Sequence, residues 1–548
     1  MRFIHIKTIT WFGTILFAFS FPYSVGQEIR ETDTTARLKS NPATADHSKF
    51  EILKQDFETG PEVTAACLTC HTEAAKQIHQ TIHWNWFNPK LGLGKRNVVN
   101  NFCISVGTNE PRCTSCHVGY GWNDASFDFQ SEERVDCLVC HDTTGTYHKF
   151  PTDAGHPNYL PKEWPKGSGK MVAVPDLSHV AQNVGQASRQ TCGSCHFYGG
   201  GGDGVKHGHL DSSLTNPTRD LDVHMAVDGL NFECTSCHST WGHQVAGSKY
   251  QLKAADPKGM DLPRMDHDRA SCVSCHGHAP MRDSKLNHHV RKIACETCHI
   301  PEFARGGVPT KMFWDWSTAF QRKGENGQPL KSEKNDDGEV TYINKKGSFE
   351  WGRHVVPSYM WFDGKMQFTK TNETTPIDMV DGQPQPLVLT RIKARPNQPG
   401  SRIWPFKIMR GVQPYDARLQ QLALPHLFSK DKHNETAFWK NKDWQAALVH
   451  GMEHSNAYEQ GAENRSFTGK LKWVETEMYW PITHMVAPKE QALTCANCHS
   501  EDSRMAGLEG IYVPGLHQHT AISGIGWSMA LLSLLGVIAH GLVRFIRK

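Results

Sequence analysis

Asn100 to His117 reads NNFCISVGTNEPRCTSCH, and its last five residues, Cys113-Thr-Ser-Cys116-His117, decide how the rest of the chain is read. The string C-x-x-C-H occurs eight times: Cys67/Cys70/His71, Cys113/Cys116/His117, Cys137/Cys140/His141, Cys192/Cys195/His196, Cys234/Cys237/His238, Cys272/Cys275/His276, Cys295/Cys298/His299 and Cys495/Cys498/His499. Two thiols at this spacing take the vinyl groups of a porphyrin in thioether links, and the adjoining His sits under the iron. Zinc sites and disulfide frameworks also use C-x-x-C, but neither requires a His after every second Cys. The motifs therefore imply eight covalently bound haem c groups. They use 16 of the 17 cysteines, and the remaining one is Cys103.

The composition agrees. A chain of 548 residues that is 38% hydrophobic is lean for a core of that size, while 32 His and 16 Trp are many. Haem supplies the missing apolar volume. The formal charge of +3 omits about two propionates per haem, so it says little about partners; no nucleic acid is expected.

Met1 to Gly26 carries Arg2 and Lys7, an apolar run from Ile9 to Phe21, and small Ser24 and Gly26. This is the form of a secretory signal. Ala521 to Val543 has no Asp, Glu, Lys or Arg, is followed by Arg544, Arg547 and Lys548, and is long enough to cross ~30 Å of hydrocarbon. The positive-inside tendency puts the basic tail, residues 544–548, in the cytoplasm and the body, residues 27–520, on the periplasmic side of a bacterial inner membrane. His540 lies inside this span, where an ionisable group is costly; it either serves a quinone or partner cofactor, or snorkels to the interface.

Seven motifs fall between Cys67 and His299 at irregular intervals, too close to house separate domains. The expected fold is one continuous multihaem array, mainly α with much irregular chain. Gln27 to Phe57 reads as a loose lead-in, Glu73 to Trp86 and Asp431 to Gln460 as helical, and Asp336 to Gly352 as one small β-hairpin. The stretch between His299 and Cys495 holds no motif and is expected to wrap the array.

An electron-transfer haem takes a second His, and 24 His lie outside the motifs. The favoured candidates are His79, His83, His179, His224, His243, His289 and His484, with His207, His267 and His454 behind them. Together with motif ligands His71, His141, His196, His238, His276, His299 and His499, they give a wire of six-coordinate irons.

Catalysis needs an iron with a free position, and two features point to the second motif. A lone exported cysteine, Cys103, stands beside Asn100 and Asn101, and such a thiol is either buried or chemically used. Directly after the fourth motif comes FYGGGGDGVKHGHLD, Phe197 to Asp211. Its glycines allow close backbone approach to a flat group, and Asp203 and Lys206 follow them. A neutral, desolvated Lys amine is able to ligate iron; Lys149, after the third motif, is a competing lysine.

Eight C-x-x-C-H motifs, NNFCIS before the second and GGGGDGVKHG after the fourth resemble the octahaem tetrathionate reductases, relatives of hydroxylamine oxidoreductase and the multihaem nitrite reductases. The resemblance runs from about Glu62 to Ser503. It implies an active haem on Cys113/Cys116 ligated by Lys206 in place of His117, with Asn100, Cys103 and Asp203 lining the pocket, and Lys149 as the alternative ligand. The expected activity is reduction of tetrathionate to thiosulfate. Nitrite or hydroxylamine at the same haem is the rival substrate class, and a membrane-tethered conduit carrying charge from a quinol or cytochrome donor is the non-enzymatic reading.

Overall fold

The computed structural model describes residues 45–165, 167–250, 270–455, 458, 465–517 and 520–547. The expected signal peptide and His267 lie outside them. The chain divides at Pro42, and all that is described belongs to the unit from Ala43 to Lys548.

Most of the motifs lie on single helical turns, while the first begins at the end of the helix Gly60–Leu68 and the fourth closes the helix Arg189–His196. Leu138–His141, Cys234–Cys237, Val273–His276, Cys295–His299 and Cys495–Cys498 each enclose part of a motif. One turn places residues three and four apart on the same face, which gathers both thiols and the His. Helices this short are not stable alone. The predicted helix from Glu73 to Trp86 is two pieces, Ala74–His79 and Ile82–Asn85, because Thr81 caps the second by accepting from Trp84 N (3.3 Å). The lead-in is partly ordered, with two 3₁₀ turns at His47–Lys49 and Glu51–Leu53.

The expectation of a mainly α fold with one hairpin is corrected by the stretch between His299 and Cys495. It folds into a nine-stranded sheet: β1 (Thr310–Asp315), β2 (Ser332–Lys334), β3 (Val340–Ile343), β4 (Gly347–Gly352), β5 (Ser358–Phe362), β6 (Leu387–Val388), β7 (Arg402–Asp416), β8 (Gln421–Leu422) and β9 (Leu471–Pro481). Strand order is β6-β9-β7-β1-β4-β3-β2, with β5 and β8 also paired to β7. The β3–β4 pair is the predicted hairpin, closed at Gly347↔Ile343; Gly347 sits at φ +84, where a side chain is strained and a Cβ would meet Asp315 O at 1.9 Å.

The central strand β7 escaped the sequence reading for a physical reason. It is buried on both faces along most of its length, so RIWPFKIMRGVQPYD shows no alternation, and Pro405, Gly411 and Pro414 break the strand signal further. It pairs antiparallel with β9 from Phe406↔Pro481 to Asp416↔Leu471 and parallel with β1 at Arg410↔Phe313. The main core of Trp314, Trp316, Phe362, Phe406, Met409 and Trp480 also takes in Phe102, Ile104 and Val205. The sheet is thus the platform on which the NNFC turn and the glycine loop rest.

Of the predicted helix Asp431 to Gln460, the structure forms Phe438–Asn441 and Trp444–His454, the latter capped by Asp443 accepting from Gln445 N (2.7 Å). The last element is the helix Thr520–Ile546. Its stretch Ala521–Ile546 is long and apolar enough to cross a membrane, with mean hydropathy 2.0 and none of it buried.

Candidate functional site

Five motif histidines each face a histidine from outside the motifs at nearly one spacing. Ring centres lie 6.2 Å apart for His71 and His47, 6.2 Å for His196 and His83, 6.0 Å for His276 and His224, 6.1 Å for His238 and His484, and 6.0 Å for His499 and His289. That is too far for a hydrogen bond between rings. It suits one iron between two imidazoles, since two bonds of ~2 Å plus the distances to the ring centres make roughly 6 Å. His243 stands next to His141. Tautomers agree: Nδ1–H donates to a carbonyl from His141 (Gly185, 2.7 Å), His238 (Ala246, 2.7 Å) and His499 (Pro514, 3.0 Å), which leaves Nε2 free for a metal.

His47 was missed because it sits in a polar lead-in without periodicity. Two candidates take other positions: His79 stacks on Trp84 (4.6 Å), and His179 is exposed beside Asn183. His207 packs edge-on to Trp480 (5.3 Å), His454 on His450 (4.3 Å). His299 neighbours His276 and His224.

Thiol contacts order the motifs in space. Cys67 meets Cys137, Cys116 meets Cys195, Cys192 meets Cys234 and Cys272 meets Cys295, while Cys140 lies near Cys192 and Cys298 near Cys498. By motif number the links are 1–3–4–5, 2–4 and 6–7–8. Two backbone contacts join the groups. Ala487 N, three residues past His484 of the fifth site, donates to His299 O (2.8 Å), and Phe232 N, just before Cys234, donates to His224 O (2.9 Å). The second motif is therefore a branch reached through the fourth.

The haem-attachment cysteines are not equally enclosed. Cys70, Cys237, Cys275 and Cys495 are exposed and the other motif cysteines half-buried. In the first and sixth motifs the leading thiol, Cys67 or Cys272, faces the next motif, and the second thiol is left at the rim. There Cys70 accepts from the adjacent Thr69 hydroxyl (3.8 Å) and Cys275 from the adjacent Ser274 hydroxyl (4.0 Å).

At the second motif the pattern breaks. His117 is fully buried and its Nε2–H donates to Trp84 O (2.7 Å). The nitrogen left free in His141, His238 and His499 is the one engaged here. The ring is caged by Trp122 (4.7 Å), Trp84 (5.0 Å), Phe127 (5.4 Å) and Trp86 (5.6 Å), and burial lowers its pKa to about 3. His117 points into protein.

The two competing lysines separate cleanly. Lys149 Nζ pairs with Asp136 (2.8 Å), with side chains 4% and 0% exposed, and donates to His117 O (2.6 Å). Tyr120 and Tyr147 hydroxyls complete the Asp136 shell at 2.8 and 3.0 Å. That amine is fully used in holding the cage. Lys206 lies in the neighbourhood of Cys116, as Lys149 does, but sits 4.8 Å over the Trp480 ring with no carboxylate paired to its amine among the described residues, and burial, with Lys95 adding to the effect, brings it to about 8. The sheet fixes its backbone: Lys407 of β7, fully buried, donates to Val205 O (3.1 Å), Lys206 O (3.0 Å) and Thr310 Oγ1 (2.5 Å).

Asn100 builds the opposite wall. Its Oδ1 accepts from Phe102 N (2.9 Å) and Cys103 N (3.1 Å), and its Nδ2 donates to Ile104 O (3.0 Å). The turn needs Ile104 at φ 71. Gln413 of β7 donates to Asn100 O (2.9 Å), and Asn101 to Met409 O (2.5 Å). Cys103 is half-buried next to Cys113, with the buried lysines Lys311 and Lys346 near it. Burial brings Lys346 to about 8 and Lys311 well below the usual lysine range. Asp203 clips the glycine loop, accepting from Ser212 N (2.9 Å) and Ser212 Oγ; both its oxygens are engaged. The loop closes on the NNFC turn, since a Cβ at Gly200 would lie 3.2 Å from Phe102.

The solved structure of octaheme cytochrome c from Shewanella oneidensis is 41% identical to this chain, with TM-score 0.69, over 84% of this chain and 95% of that one. The chain belongs to the octahaem cytochrome c family. The family model described as bacterial cytochrome c matches residues 311–502, which span the sheet and the eighth motif. An uncharacterized protein of Archaeoglobus fulgidus is 22% identical over 267 residues, covering 40% of this chain and 87% of its own length. This octahaem cytochrome carries covalently attached haem c and works in electron transfer. Trp480, Lys407, Lys311 and Lys95 are the site residues that sequence reasoning missed; lysines inside apolar runs such as WPFKIM were the available signal.

Proposed function

We propose that the protein reduces tetrathionate to two thiosulfates at the haem on Cys113/Cys116, with Lys206 as its amine ligand and its other face free for substrate. The observation that carries this is His117, whose Nε2 is committed to Trp84 O while Lys206 lies near Cys116. Bound haem supplies one-electron chemistry at the site. The residues do the rest. Lys206 would hold the haem iron through its amine, Asn100 holds the turn that carries Cys103, and Lys346 lies near that thiol. The Cys103 thiolate attacks a central sulfur of tetrathionate and expels thiosulfate, leaving Cys103–S–S–SO₃⁻. Two electrons then release the second thiosulfate and restore the thiolate. Each turnover thus consumes two electrons and no protons.

The C-terminal helix supports attachment of the periplasmic body to the inner membrane, with Arg544 and Arg547 in the cytoplasm. The donor is then a quinol or a cytochrome at that membrane. Nitrite and hydroxylamine are the competing substrates at the same haem, and they would not need Cys103. Oxidation of a reduced dye by tetrathionate, nitrite and hydroxylamine, measured side by side, tests the assignment. Tetrathionate is expected to turn over at least 10-fold faster than either nitrogen compound, and the reverse order would overturn the reading.

A further inference from the structure

The eighth motif differs from the other seven in where the chain goes next. His499 is followed by 20 residues before the C-terminal helix begins at Thr520, but its Nδ1–H donates to Pro514 O (3.0 Å). A Cβ on Gly515, at φ +90, would meet His499 O at 2.7 Å, so the loop folds tightly back on the motif. Only the chain from Pro514 to Thr520 then separates this histidine from the membrane helix, and six residues reach at most ~20 Å. Whatever its direction, the helix holds the eighth haem site near the membrane surface.

The face around that site suits such a surface. Leu286, 44%, on the helix that carries His289, and Tyr512, 60%, on the loop that follows His499, are exposed. His289 ends the helix Ser284–His289, and from Arg282 to Lys292 this segment carries Arg282, Lys285, Arg291 and Lys292 against Asp283 alone. Glu501 and Asp502 follow the motif on its other side. Basic residues beside exposed apolar ones are drawn to anionic head groups near a membrane surface.

We propose that electrons enter at the site of Cys495, Cys498, His499 and His289, donated by a quinol dissolved in the same membrane. The quinol becomes quinone, gives up two protons to the outer side, and passes two electrons one at a time, matching the two that tetrathionate takes. The seventh motif adjoins the eighth through Cys298 and Cys498, so the path continues into the array. His540 is excluded as the donor contact. Twenty residues of helix place it ~30 Å from Thr520, at the other leaflet. The proposal rests on the membrane attachment above, but not on the identity of the substrate.

The full-length haem-loaded protein in vesicles of zwitterionic and anionic phospholipid containing a long-chain quinol tests this, with reduction of the haem absorbance bands followed without tetrathionate. The full chain should float with the vesicles and be reduced by quinol. A chain ending at His517 should lose quinol reduction more than 50-fold while keeping dye-driven tetrathionate turnover. Lys285→Glu with Arg291→Glu should slow quinol reduction at least 10-fold and leave dye reduction unchanged, whereas Lys334→Glu on the sheet edge should do neither. The proposal is overturned if the full chain fails to float, if quinol fails to reduce it where dye succeeds, if a second membrane protein is required, or if Lys334→Glu slows quinol reduction as much. Loss of tetrathionate turnover with quinol reduction intact would instead fault the proposed substrate.

Discussion

The second and eighth motifs have the same five-residue grammar and opposite environments. His499 donates through Nδ1 to a carbonyl and faces His289 at 6.0 Å, with its surroundings open. His117 donates through Nε2 to Trp84 O and is enclosed by four aromatic rings. The covalent attachment is common to both, so what separates a wire position from a chemical one is the choice of which imidazole nitrogen the protein occupies. One hydrogen bond and an aromatic cage turn the His117 ring away from the role its motif suggests, and the function proposed above gives that role to Lys206.

Breaking the chemical side of this contrast should have the largest effects. Lys206→Ala is expected to lower tetrathionate turnover by at least 100-fold and to change the spin state of one haem in the optical and paramagnetic resonance spectra. Lys149→Ala removes half of a buried pair, so it should cost ~3–5 kcal/mol of stability while the ligation of the second haem stays as it was. Chemical denaturation followed by haem absorbance separates the two variants. Cys103→Ala should abolish sulfur turnover and spare any nitrite or hydroxylamine turnover; equal retention of all three would remove the thiol from the mechanism.

On the wire side the expected effects are narrower. His289→Ala should convert one low-spin haem to high spin, whereas His117→Ala should leave every haem's spin state unchanged, since its ring meets tryptophan instead of iron. The smallest effect concerns the cage's outer support. Glu110, 5% exposed, accepts from Tyr458 OH (2.7 Å), which in turn accepts from Trp122 (3.0 Å). Burial raises the Glu110 carboxyl above its ordinary value. A group that holds its proton more tightly when folded costs stability as pH rises past the unfolded value of ~4.3. Glu110→Gln should therefore raise the unfolding midpoint at pH 8 and lose that advantage at pH 4.

Much of this was legible in the sequence, for identifiable reasons. The haem attachments are written locally, as five consecutive residues. How the motifs adjoin one another in space is not, because the meetings of Cys67 with Cys137 and of Cys272 with Cys295 depend on packing. His83, His224, His289 and His484 were found because histidines near motifs are few enough to weigh individually, but His47 lies in a polar segment that shows nothing until it folds back on His71. The β3–β4 hairpin was visible in the alternation of Val340 and Tyr342 and of Phe349 and Trp351. Strand β7 was not, because burial on both faces erases alternation. The roles of Lys206 and Lys149 could not be ranked from spacing, since the difference lies in partners distant in sequence: Asp136 and His117 O engage one, Lys407 and Trp480 frame the other.

The most direct measurement is the coordination of the second haem in a crystal structure of the haem-loaded protein. The expected result is Lys206 Nζ at ~2 Å from the iron attached to Cys113 and Cys116, the opposite face without a protein ligand, and His117 still bonded to Trp84 O. His117 Nε2 on that iron, or a second histidine opposite Lys206, would contradict it.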